Sequence, residues 1–213
     1  MKQMKKSILV LIACMVASMM QAQVKTKKEA YSANKTSLIK ENSIYTLIDS
    51  MSNALNCRIV IKEAPIKTTL NARPAFWSLL GKKSNRKYII RVNNKSDFDG
   101  IRLKEVPSYA SVGLWTHELM HVKDYQSRNF WGVMQRGFQY LTITGKQKFE
   151  HEIDKMVIDH GFGKQLYAWA YYVLEESNAS PEYKNYKQRI YLTPSAISKS
   201  LLSETEAKTT PVM

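Results

Sequence analysis

Over residues 40–56 the apolar positions Ile44, Leu47, Ile48, Met51 and Leu55 fall at i, i+3, i+4, i+7 and i+11. That period sets them on one face and predicts an amphipathic helix, with Asn56 as its stop. The period then becomes two. In "CRIVIK", 57–62, Cys57, Ile59 and Ile61 alternate with Arg58, Val60 and Lys62, a strand pattern closed by Pro65. "KYIIRVNN", 87–94, predicts a second strand. "IRLKEV", 101–106, predicts a short third strand after the turn "DFDG". Residues 66–86 have no clear period, and "FWSLL" there reads as a helical turn or a core-filling loop.

Pro107 and Ser108 open a long helix that runs to about Gln126. Further helices are predicted over 129–142, 146–160 and 164–177, with Gly145 breaking the first from the second and Gly161 and Gly163 ending the second. The stretch after Pro181 reads as partly ordered to Leu202, and 203–213 as a polar tail. Helix, strands, then helices make an α+β fold, with helices segregated from an antiparallel or mixed sheet.

The chain has 213 residues, 44% of them hydrophobic. That suits a single domain, here 38–202, preceded by a polar lead-in at 23–37. The first 22 residues differ in kind. Lys2, Lys5 and Lys6 precede an apolar run from Ile8 to about Met20, too short and sharply bounded for a comfortable membrane span. They read as a secretory signal peptide cut after Ala22, which implies export to the periplasm or the medium. "LIAC", 11–14, resembles a lipobox and would instead put a lipid on Cys14. The residues after Cys14 stay apolar or small, which favours ordinary cleavage. The mature chain then holds one cysteine, Cys57, and no internal disulfide. Cys57 reads as a small buried residue.

The formal net charge is +14, with three of those charges in the leader. The basic residues are scattered and no nucleic-acid motif accompanies them, so a polyanionic cell surface or acidic substrate is the better electrostatic partner.

One stretch carries chemistry. "THELMHVKDY", 116–125, places His117 and His121 four apart, with Glu118 directly after the first. On a helix both imidazoles lie on one face and can reach one metal ion. Glu118 is turned about 100° from His117, close to the metal without binding it, where a general base would stand. Uncharged Thr116, Leu119, Met120 and Val122 around them fit a buried helix. Two histidines still need a third protein ligand. Glu150, Glu152 and Asp154, with His151 between them, lie on the next predicted acidic helix.

His117-Glu118-x-x-His121 followed by Glu150-x-x-x-Asp154 resembles the gluzincin group of zinc metallopeptidases, and the short layout resembles the single-domain minigluzincins. The resemblance implies a zincin-like fold: an N-terminal helix, a small twisted sheet, an active-site helix and a following helical segment. It implies one zinc ion on His117, His121 and Glu150, with Asp154 orienting a ligand histidine. It implies peptide-bond hydrolysis with Glu118 as base. It also implies an edge strand that pairs with extended substrate, for which Tyr88, Ile89, Ile90, Arg91, Val92 and Asn93 are the candidates. Glu152 lies about 200° round the helix from Glu150 and cannot face the same ion. An oxyanion-stabilising side chain is expected among His160, Tyr167, Tyr171 and Tyr191, with none fixed by spacing. The rival reading is a zincin-fold binding or scaffold protein with little turnover, docking its basic surface on a polyanion.

Overall fold

The computed structural model describes residues 42–209. The expected leader, Cys14 and the lead-in lie outside them. Helix α1, Asn42–Ala54, buries Ile44 and Ile48, as the period requires. It stops at Asn56, whose φ of 45° is left-handed, a conformation that asparagine tolerates. Cys57 is half-buried and free, and burial pushes its thiol up to about 11.

Three strands follow: β1, Arg58–Ala64, β2, Leu70–Pro74, and β3, Lys87–Asn93. The sheet order is β1-β3-β2, with β1 parallel and β2 antiparallel to β3. Its register runs Arg58↔Lys87 to Ala64↔Asn93 on one side and Leu70↔Val92 to Pro74↔Tyr88 on the other. Ile59, Ile61, Tyr88, Ile90 and Val92 alternate inward and are buried.

Two sequence expectations change here. Residues 101–106 form no strand but a short 3₁₀ turn, Leu103–Glu105, in which the Glu105 carboxylate accepts from Arg102 N–H at 3.0 Å. The third strand is instead β2, "LNARP". Only Leu70 and Ala72 give it a buried face, and Pro74 ends it, tolerable because β2 is an edge.

Helix α2, Ser108–Ser127, is buried along most of its length. Then come α3, Phe130–Gln139, α4, Ile143–Val157, and α5, Gly163–Tyr171. A π-helical turn at Ile158–Phe162 joins the last two. The break between α3 and α4 falls at Thr142, whose hydroxyl accepts from Gly145 N–H at 3.0 Å, and not at Gly145 itself. Gly145 sits in the first turn of α4, where a Cβ would stand 2.6 Å from Gln139 O. Gly113 does similar work on α2: a Cβ there would lie 2.2 Å from Gln165 O, so its absence lets α2 and α5 touch backbone to backbone. The C-terminal part is ordered as helices α6, Pro181–Ile190, and α7, Pro194–Thr209, so the expected polar tail is helical to Thr209. The architecture is α+β with one small mixed sheet. Among the described residues no helix is long and apolar enough to cross a membrane.

An ionic hub fixes α3 between α2 and α4. Buried Asp124 on α2 receives bidentate bonds from Arg128 at 2.9 Å and from Arg136 at 2.8 and 3.0 Å. Arg136 also pairs with Glu152 at 2.7 Å and covers the Phe149 ring at 4.2 Å. Burial alone would raise the Asp124 carboxyl, but the two guanidiniums hold it below its ordinary range. Arg136→Met should therefore destabilise the fold by about 3 kcal/mol, because it strips half the partners from a buried carboxylate. The sign with pH follows: Asp124 stabilises the fold above its unfolded pKa, and this is lost as pH falls through the depressed folded value. Urea unfolding from neutral to acid pH should show a shallower acid loss in Arg136→Met; an unchanged profile would disprove the role.

Candidate metal centre

Helix α2 brings His117, Glu118 and His121 to one buried place, and α4 crosses it with Glu150 and Asp154, also buried. His117 Nε2 and His121 Nε2 are 3.2 Å apart. Glu150 Oε2 lies 3.1 Å from the first and 3.2 Å from the second. Ligand atoms about 2.0–2.1 Å from a tetrahedral ion stand roughly 3.3–3.4 Å from one another. The triangle is close to three corners of that tetrahedron, and these three residues could hold a metal ion.

The proton positions favour a cation. His117 Nδ1 meets Asp154 Oδ1 at 2.8 Å. A carboxylate only accepts, so Nδ1 carries the hydrogen, and His117, when neutral, turns its Nε2 lone pair into the triangle. There it faces a second imidazole nitrogen and a carboxylate oxygen. Lone pairs so placed need a proton or a metal between them. The electrostatics agree. Burial disfavours a charged His117, yet its bonds to Asp154 and Glu150 and their charges push it up to about 10. Burial alone would raise Glu150, but the His121 charge and the bonds from both histidines hold it well below the carboxylate range.

Each ligand is held by something behind it. Asp154 accepts from Leu192 N–H with its other oxygen at 2.9 Å, which fixes it against His117. Tyr140 O–H donates to Glu150 Oε1 at 2.5 Å, which leaves Oε2 for the triangle. His121 stacks on Tyr125 and meets the edge of Phe149, while its buried Nδ1 has no partner. Asp154→Asn should weaken metal affinity about 10–100-fold, the usual loss when a ligand histidine loses its orienting carboxylate. Competition with a chromogenic chelator measures it, and wild-type affinity would refute this positioning.

Glu118 is buried beside the triangle, and its Oε2 has no hydrogen-bond partner. Burial raises its pKa, partly opposed by His121, His117 and Lys187. With His121, Tyr140, Glu150 and Tyr191 it lines a cleft of about 730 Å³. Lys187 is buried behind the site, its ammonium 4.0 Å from the Tyr191 ring and under 6 Å from those of Trp169 and Tyr183.

The other sequence candidates separate. Glu152 points to Arg136, away from the triangle. His151 is not among the three clustered ligands. His160 is exposed at a helix end, bonded to Met156 O and in contact with Lys123. Tyr167 and Tyr171 stack on each other and do not line the cleft. Tyr191 does line it, with its ring 5.5 Å from that of His117. Sequence reasoning missed Tyr140 and Lys187, because neither stands at a spacing tied to the motif.

The substrate strand needs correction. Tyr88–Asn93 is not an edge: β3 is central, with both sides bonded to β1 and β2. Tyr88, Ile90, Val92 and Asn93 are buried, and of the six only Arg91 lines the cleft. The strand whose outer side is unpaired there is β2, and Leu70, Asn71 and Ala72 line the cleft. Arg91 braces that strand, donating to Asn71 Oδ1 at 2.8 Å. Compared with known proteins, the chain matches no family model, and no curated protein or solved structure is similar to it.

Proposed function

We propose that this chain is a zincin-like, zinc-dependent peptidase of gluzincin type, exported by its first 22 residues. One observation carries the reading: a buried Glu118 oxygen without a partner stands beside a His/His/Glu triangle and opens on a cleft. A purely structural metal would not require that carboxylate. Zinc, when bound by His117, His121 and Glu150, supplies Lewis acidity that polarises a carbonyl and acidifies water.

The remaining work falls to the chain. Glu118 takes the proton of the attacking water and passes one to the leaving amine. Asp154 and Tyr140 keep His117 and Glu150 aimed. Tyr191, which lines the cleft with its ring beside His117, is the donor for a developing oxyanion. An extended peptide adds to the free side of β2 by main-chain bonds, in place of the strand expected from sequence.

The test is hydrolysis of an unfolded protein such as casein. It should stop with a chelator and return with zinc. Metal-loaded protein that binds peptides without cleaving them would replace this reading with the scaffold one.

A further inference from the structure

Helix α3 buries Val133 and Arg136, yet its outer side carries two large aromatics, Trp131 and Phe138, seven residues apart and so on one face. Trp131 is 75% exposed. Its ring meets Phe130 at 5.3 Å, Phe130 meets Phe76 at 6.5 Å, and Phe76 meets Trp77 at 5.4 Å. Trp77 is 80% exposed, and Leu80 in the same 3₁₀ turn is also exposed. Two segments far apart in sequence thus present one aromatic plate to solvent. Patches of this kind mark interaction sites.

The exposed charge of the two segments has one sign. Residues 73–87 and 128–148 contain no acidic residue; Arg86 and Arg136 are buried and Arg128 pairs with Asp124, which leaves Arg73, Lys82, Lys83 and Lys148 as their exposed basic residues. Lys82 and Lys83 are exposed directly after the turn that carries Trp77, and Lys83 bridges to Ser127 O at 2.8 Å beside α3. We propose that this plate docks the protein on the surface of an anionic phospholipid bilayer. Trp77 and Trp131 sit at headgroup level, where amphipathic rings concentrate, and Lys82 and Lys83 meet acidic headgroups. The chemistry distinguishes this partner from two others. A second copy would bring basic rim against basic rim. A single nucleic-acid strand would use the rings for stacking but leave aliphatic Leu80 without a role. The inference goes beyond the peptidase reading and does not depend on it.

Fluorescence of the full chain tests it. Trp115 and Trp169 are buried, so Trp77 and Trp131 are the tryptophans a bilayer can reach. With vesicles of phosphatidylcholine and about 30% phosphatidylglycerol, brominated acyl chains should quench emission and shift it to the blue. The readout is local to the plate, so binding through the apolar run near the N-terminus does not mimic it. Trp77→Ser/Trp131→Ser should abolish the quenching. Lys82→Gln/Lys83→Gln should weaken vesicle affinity roughly 25-fold, at about fivefold per lysine near an anionic surface. Casein hydrolysis in solution should be unchanged in both variants. Wild-type emission that ignores the vesicles overturns the proposal. So does emission that shifts only with a single-stranded oligonucleotide, or with protein concentration as a dimer forms.

Discussion

Glu118→Gln is expected to keep its metal and to lose at least about 100-fold in peptide hydrolysis, the lower end of what a positioned acid–base group contributes. That loss corresponds to about 2.7 kcal/mol of barrier. The substitution keeps the shape of the side chain in a buried position, so packing changes little. It removes the one property the proposed mechanism needs there, a group that can take a proton and return it. Glu118 touches neither histidine nitrogen of the triangle nor Glu150 by any hydrogen bond, and so metal content should stay at the wild-type level. Initial rates at saturating zinc and metal analysis on the same samples decide the matter. Equal rates would end the base assignment. A metal-free Glu118→Gln would show that Glu118 is a ligand.

The second large effect is at the triangle itself. Glu150→Ala should cost more than the roughly 100-fold that marks the upper end for an orienting partner, because it removes a ligand outright. It also leaves the Tyr140 hydroxyl without its acceptor. The contrast within one helix makes the experiment sharp. Glu152 is two residues away, partly exposed and paired with Arg136. Glu152→Ala should therefore retain metal, though it loosens α3. Titration against a chromogenic chelator, with circular dichroism to show that both variants fold, reads the difference. Loss in Glu152→Ala with retention in Glu150→Ala would mean that α4 is rotated from its place in the structure.

The parts legible in the sequence share a physical cause. His117, Glu118 and His121 sit on one helix, and their relation follows from its pitch alone. Glu150 and Asp154 share a second helix, one turn apart, so one faces the triangle when the other supports it. Each of these is local geometry. Tyr140 and Lys187 were not legible because they reach the site through tertiary packing, from the end of α3 and from α6. The substrate strand failed for a related reason. Alternation marks which residues turn inward, and β3 alternates well. It does not say which strands flank it. β2 was hidden by its low apolar content and its terminal proline, the marks of an edge.

The strand order bears on how the chain reaches this state. β1 and β2 are consecutive in sequence but do not touch; β3 lies between them and pairs with both. As the chain emerges from the ribosome, neither of the first two strands has a hydrogen-bonded strand neighbour until β3, which begins at Lys87, has been made. The sheet then closes around a late central member, and its parallel half joins residues 29 positions apart, such as Arg58 and Lys87. Contacts that distant are slow to form because loop-closure entropy is lost before they repay it. Helix α2, which follows and packs on this sheet, finds its seat only afterwards. Until that closure the segment that becomes α2 has no platform beneath it. In that interval unpaired strands, not the metal ligands, set its vulnerability to aggregation.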